Sequence, residues 1–222
     1  MRTSRTKTFP SGPSLGILMF ALGLAAAAAF QADQSRLAPA NEGEARSNEF
    51  WPPARIMDVV GVAAGMTVAE IGAGRGRNVV YLADRVGPSG RVYAEDIDAE
   101  ALRFLAERCR RGGFDNVEAV LGGLTETRLP GGALDVLLVI GSYQHFSDPV
   151  ALMRNARAAL KEGGRAALVD HFAERDGPND VSEETMLAQM ERAGFAFERV
   201  ERAFGEAAGA VYLFRLGPGP LR

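Results

Sequence analysis

Val68–Asp98, VAEIGAGRGRNVVYLADRVGPSGRVYAEDID, is the stretch that decides the fold. Thr67–Ile71 is short and largely apolar, as a strand should be, and runs straight into the glycine turn Gly72-Ala-Gly74-Arg-Gly76. From Asn78 to Val86 the apolar residues Val79, Leu82, Ala83 and Val86 fall at helical spacing. Gly87-Pro-Ser-Gly90 breaks that helix, and Arg91–Glu95 reads as a second strand. Strand, helix and strand joined by such short turns make a crossover unit, which places the two strands parallel.

The alternation continues outward in both directions. Upstream, Ala54–Val60 follows two prolines and reads as a short helix. Downstream, Ala99–Arg111 is a helix ended by Gly112-Gly113, and Val117–Leu121 is a third strand. Leu134–Ile140 is almost wholly apolar, as a central parallel strand should be. Val150–Leu160 is predicted helical and stopped by Gly163-Gly164, with Arg165–Val169 as the fifth strand. Asp180–Ala193 is a last helix, and Phe195–Phe204 with Ala210–Leu216 pair as a closing hairpin. The expected fold is α/β: a Rossmann-like open, mostly parallel sheet with helices on both faces and a C-terminal antiparallel hairpin. Ligands of such sheets bind outside the carboxyl ends of the strands.

A glycine turn at a strand end lets a ligand approach the backbone, because no Cβ intrudes. A tight connection without a ligand needs one glycine; here there are three. Asp96 closes the next strand, where a carboxylate accepts hydrogen bonds from ribose hydroxyls. The dinucleotide fingerprint wants glycine at the first, third and sixth positions, and the sixth position here is Arg77. That disfavours a nicotinamide oxidoreductase.

The stretch Val68–Asp98 resembles the first motifs of class I S-adenosylmethionine-dependent methyltransferases, and the resemblance continues through LDVLLVIGSYQHFSDP, LKEGGRAALVD and the terminal hairpin, from about Trp51 to Leu216. It implies S-adenosylmethionine as cofactor and methyl transfer to a small-molecule acceptor. It implies that Glu70 sits near the methionine amino group, that Gly72, Gly74 and Gly76 form the cofactor loop, and that Asp96 binds the ribose. Ile97 then flanks the adenine, and Gly141 and Ser142 lie near the methionine moiety. The chain departs from the family after the third strand. Many members carry an acid there that reads the adenine amino group, whereas this chain has Gly122-Gly123-Leu124. The glycine loop is also similar to that of protein isoaspartyl methyltransferases, and a non-catalytic domain of the same fold is a further alternative.

The two histidines, His145 and His171, follow the fourth and fifth strands, so both fall at the ligand edge of the sheet. Histidine is suited to take a proton near neutral pH, and Tyr143, His145 and His171 are the candidate catalytic residues, with Tyr143 and His145 expected to face the acceptor. The bland alternative is that each histidine hydrogen-bonds loop backbone. A metal site using both with Asp170 or Asp148 lacks a fixed ligand spacing, and none is predicted. Trp51 either lids the cleft or anchors the N-terminal helix. The single cysteine, Cys109, lies at helical spacing from Leu102 and Leu105 and reads as a small buried apolar residue.

The chain has 222 residues and a net charge of −3, with no dense basic run in its body, so no nucleic-acid partner is expected. Its first residues differ in character from the rest. Arg2, Arg5 and Lys7 precede the uncharged run Leu15–Phe30, which carries small residues at Ala27–Ala29. That is the pattern of a secretory signal or an N-terminal membrane anchor, rather than of a buried N-terminal helix of the domain. The expected organisation is a signal peptide or anchor over residues 1–32, a polar linker over 33–48 and a methyltransferase-like domain over 49–222. By charge bias the domain is then exported, or tethered to the membrane through its N-terminus, with a cytoplasmic location as the alternative.

Overall fold

The computed structural model describes residues 36–177, 180–202, 204 and 209–217. The chain divides into two compact units, Met1–Ala38 and Pro39–Arg222. Of the first unit only residues 36–38 are described, so the expected signal peptide or anchor over residues 1–32 lies outside the described residues. Among the described residues, no helix is long and apolar enough to cross a membrane.

The second unit is one seven-stranded sheet in the order β3-β2-β1-β4-β5-β7-β6. The strands are β1 (Thr67–Ile71), β2 (Arg91–Asp96), β3 (Val117–Leu121), β4 (Leu134–Ile140), β5 (Leu160–Asp170), β6 (Phe195–Glu201) and β7 (Ala210–Leu216). The pairs β1·β2, β1·β4, β2·β3 and β4·β5 are parallel, and β7 lies antiparallel between β5 and β6. After β1 the chain winds outward to β2 and β3, then returns to β1's other side as β4. That reversal opens a crevice at the carboxyl ends of β1 and β4.

Six helices accompany the strands in the described residues: α1 (Glu42–Phe50), α2 (Pro53–Val60), α3 (Val79–Val86), α4 (Ala99–Gly112), α5 (Pro149–Arg157) and α6 (Glu183–Arg192). Proline opens α2, and Gly61 ends it in the left-handed conformation. Asp98 caps α4 by accepting the N–H groups of Glu100 and Ala101. Around Leu137, Val139 and Leu168 of the central strands a core assembles with Met153 of α5 and Met186 of α6, all fully buried. Cys109 is buried on α4 as a free thiol.

Two elements differ from the sequence-based expectation. The polar stretch expected as a linker over 33–48 contains most of α1, which begins at Glu42. Asn41 caps it by accepting the Glu44 N–H at 2.9 Å, while the Glu44 carboxylate accepts the Ala40 N–H at 2.8 Å. Its other oxygen pairs with Arg108 of α4 at 2.9 Å, with both side chains about nine-tenths buried. Asn48 accepts from Arg77 and donates to Tyr81. The polar residues that suggested solvent are docking contacts. The second difference is at β5, which begins at Leu160 because α5 ends at Arg157. Gly163-Gly164 does not stop a helix; it lies in a bulge where the pairing steps from Leu134↔Leu160 to Val136↔Arg165. Gly163 is left-handed there, and a Cβ on Gly164 would come within 2.9 Å of the Leu134 carbonyl.

Candidate active site

The site is built where β1 stops. Gly72 leaves the strand with φ +72°, and a Cβ on it would sit 2.5 Å from Ser142 Oγ. Ser142, just after β4, donates that hydroxyl to the Ile71 carbonyl at 3.0 Å, tying the two strand ends together. Gly76, at φ +82°, turns the chain into α3 hard against Leu105. Gly74 differs from both. Its φ is +54°, and a Cβ there would meet no atom within 4 Å, so its Cα faces open space.

Asp96 holds the loop. One carboxylate oxygen accepts the Gly74 N–H at 2.7 Å, and the other accepts the Asp98 N–H at 2.9 Å. A carboxylate offers roughly four acceptor sites. Two are used by these backbone groups, which leaves two for a ligand.

Two further carboxyls are buried beside the loop. Glu70 accepts from Asn78 Nδ2 at 2.7 Å through one oxygen, and its other oxygen is buried without a partner. Burial pushes its pKa up to about 7, against the pull of the Asn78 hydrogen bond and the Arg77 charge. Glu95 was not anticipated from sequence. It is 2% exposed, and its Oε1 has no hydrogen-bond partner. Burial, reinforced by the Asp96 charge, raises its pKa to about 8, and the Gly72 N–H offsets part of that.

These groups border a cavity of about 320 Å³ whose wall includes Gly72, Glu95, Asp96, Ile97, Gly141 and Ser142, and reaches His145 and Phe146. Five of the eight residues expected to bind cofactor therefore share one wall. Glu70, Gly74 and Gly76 are not on that wall: the two glycines lie within the loop, and Glu70 is buried in β1. Trp51 lies against Gly141, where a Cβ would come within 2.8 Å of its ring, and Arg77 stands 6.0 Å above that ring.

The three candidate catalytic residues separate. His145 is on the cavity wall. Tyr143 is not: it is 1% exposed, its ring packs tilted against Phe146 and edge-on against Phe172, and its hydroxyl donates to Gln189 at 2.9 Å. The one-turn 3-10 helix Tyr143–His145 turns that ring into the core, and burial holds its phenol far above the usual range. His171 borders a second cavity of about 730 Å³, with Glu183, Glu184, Arg202 and Tyr212. Gln144 spans the gap, donating to the Asp170 carboxylate and the His171 carbonyl. The two histidines thus serve different walls.

Residues 68–164 match the family model described as a methyltransferase domain. Nocamycin O-methyltransferase from Saccharothrix syringae is 31% identical over 127 residues, 56% of this chain and 45% of that protein. The chain spans about half the length of the curated relatives it matches. Among solved structures, a SAM-dependent methyltransferase from Aquifex aeolicus superposes with a TM-score of 0.67 at 26% identity, covering 75% of this chain and 89% of that one. The [4+2]-cyclase SpnF superposes at 0.65 with 15% identity, covering 77% and 81%, which shows the fold alone.

Proposed function

We propose that the chain is a class I S-adenosylmethionine-dependent methyltransferase, a reading supported by the methyltransferase-domain match over residues 68–164, and that it transfers a methyl group from S-adenosylmethionine to a small-molecule acceptor. The observation that carries this reading is the Asp96 carboxylate. It is fixed by two backbone N–H groups at the rim of the cavity, with acceptor capacity to spare for a ribose. The residues present suit the cofactor. Gly74 leaves open space at its Cα for close approach, and the unpartnered oxygen of Glu70 is an acceptor for the methionine ammonium.

Bound S-adenosylmethionine supplies an electrophilic methyl on a sulfonium. The protein's part is to hold that sulfonium and an acceptor in line, which accounts for much of the rate in such displacements. The loop and Asp96 fix the nucleoside, Ser142 fixes the two strand ends, and His145 takes the acceptor's proton at an imidazole nitrogen. His145 has that role rather than His171 because it borders the same cavity.

Calorimetry on the full chain tests the reading. S-adenosylhomocysteine binds and NAD does not; tighter binding of NAD would replace it with a nicotinamide site. The fold also carries a [4+2]-cyclase, so release of S-adenosylhomocysteine from S-adenosylmethionine across a panel of small hydroxyl and amine acceptors is the second arm.

The N-terminal segment is proposed as an export signal or anchor, supported by Arg2, Arg5 and Lys7 ahead of the uncharged run Leu15–Phe30. Residues 1–48 fused to a reporter active only outside the cytoplasm should give activity. A well-expressed but silent reporter would return the domain to the cytoplasm.

A further inference from the structure

We propose that the Glu95 carboxyl is the group that reads the adenine ring, accepting a hydrogen bond from its exocyclic 6-amino group. This rests on the cavity being the S-adenosylmethionine site. Glu95 and Asp96 are consecutive on β2, so their side chains leave opposite faces of the strand. Asp96 turns to the glycine loop. Glu95, flanked by Ile71 of β1 and Val120 of β3, ends instead on the cavity wall.

The chain makes room for this at a specific point. A Cβ on Gly122, the first residue after β3, would overlap the Glu95 carboxyl. Gly122-Gly123 therefore contributes no polar side chain, and the carboxyl of the neighbouring strand occupies the space one would use. Its surroundings suit a flat heterocycle. Ile97 and Leu124 are 58% and 63% exposed, a pair of large apolar side chains on the cavity wall beside the carboxyl. A base attached to a ribose held by Asp96 lies next to the residue that precedes Asp96 in the strand.

Chemistry selects the base. Glu95 Oε1 is a buried acceptor with no donor, and folded proteins rarely leave such atoms unsatisfied. A 6-amino purine presents a donor to it, whereas a 6-oxo purine presents a second acceptor and is repelled. Burial and the Asp96 charge raise the Glu95 pKa to about 8 even though the Gly72 N–H donates to the carboxyl.

The test uses the full chain, S-adenosylhomocysteine and its 6-deamino analogue, which carries purine in place of adenine. By calorimetry at about pH 9, above the raised Glu95 pKa so that the carboxyl is ionised, wild type prefers the amino compound by about tenfold to a hundredfold, as expected for a hydrogen bond to a charged group. Glu95→Met removes the preference to within about twofold without weakening the deamino analogue, and Glu95→Gln, which keeps an acceptor oxygen, retains it. Gly122→Ala crowds the carboxyl and lowers the preference, and it decides the matter if Glu95→Met does not fold. Preference retained in Glu95→Met, or equal weakening of both ligands, means Glu95 is structural and overturns the inference while leaving the cofactor site standing. Wild type that binds neither ligand overturns the cofactor reading and this inference together.

Discussion

Asp96→Asn separates what the Asp96 carboxylate does for the loop from what it does for a ligand. The wild-type group accepts from Gly74 at 2.7 Å and from Asp98 at 2.9 Å, one backbone N–H on each oxygen. An amide replaces one oxygen with a donor, so one of these N–H groups must face an NH2. The lost bond is charge-assisted, worth about 1.5–3 kcal/mol where desolvated. Asp96 is half-buried, so the loss of folding stability should be near the low end, about 1 kcal/mol. Ligand affinity suffers more. The loop loses a tether, and the ribose loses one of its two acceptors. S-adenosylhomocysteine should bind roughly 30- to 100-fold more weakly. Urea melts and calorimetry on the same preparation read the two effects separately. Affinity within about twofold of wild type, in a variant whose stability has dropped, would mean that Asp96 only organises the loop and that the ribose assignment is wrong.

Gly72→Ala should destabilise the protein by about 2–4 kcal/mol in urea melts, because it combines a left-handed residue with a Cβ driven into Ser142; a loss under about 0.5 kcal/mol would show that the β1–β4 junction yields easily. Tyr143→Phe removes the hydroxyl bond to Gln189 and should cost about 1 kcal/mol of stability while leaving turnover intact; lost turnover in a stable variant would restore Tyr143 to the chemistry. Glu70 and Glu95, raised from 4.5 to about 7 and about 8, favour the folded state when protonated. Their contribution is complete below the unfolded pKa and is lost as pH rises through the folded values. Stability should fall as pH rises from about 4.5 to about 8, each group adding a slope of at most about 1.4 kcal/mol per pH unit, with Glu70 levelling off near pH 7 so that Glu95 carries most of the fall from pH 6 to 8. Glu95→Gln should flatten that fall by about 2 kcal/mol over the interval, and an unchanged profile would refute the raised Glu95 pKa.

Most strands were legible because they carry an apolar run bounded by glycine or a short turn, and β1, β3, β4 and β7 begin and end where the pattern places them. The loop Gly72–Gly76 and Asp96 were legible because their spacing is local. What escaped the sequence depends on partners far along the chain. The helix α1 is polar and short, and its placement rests on Glu44 meeting Arg108, 64 residues away. Gly163-Gly164 reads as a helix stop or as a strand bulge with equal ease; the Leu134 carbonyl packed against it decides. Tyr143 sits at the right strand end for chemistry, but its hydroxyl is claimed by Gln189. Glu95 is the residue sequence reasoning missed. Two adjacent acids at the end of β2 were a usable sign, since period-two alternation sends them to opposite faces. Only the overlap with Gly122 reveals which space the second one fills.

The central claim is that the cleft at the carboxyl ends of β1, β2 and β4 is a nucleoside site. A crystal structure of the full chain with S-adenosylhomocysteine measures this directly. The account predicts the ribose hydroxyls within hydrogen-bond distance of Asp96, the adenine edge at Glu95 beside Ile97 and Leu124, and the amino-acid end near Glu70 and Ser142. Density for the ligand in the cavity of His171 and Arg202 instead, or a ribose held away from Asp96, would contradict it.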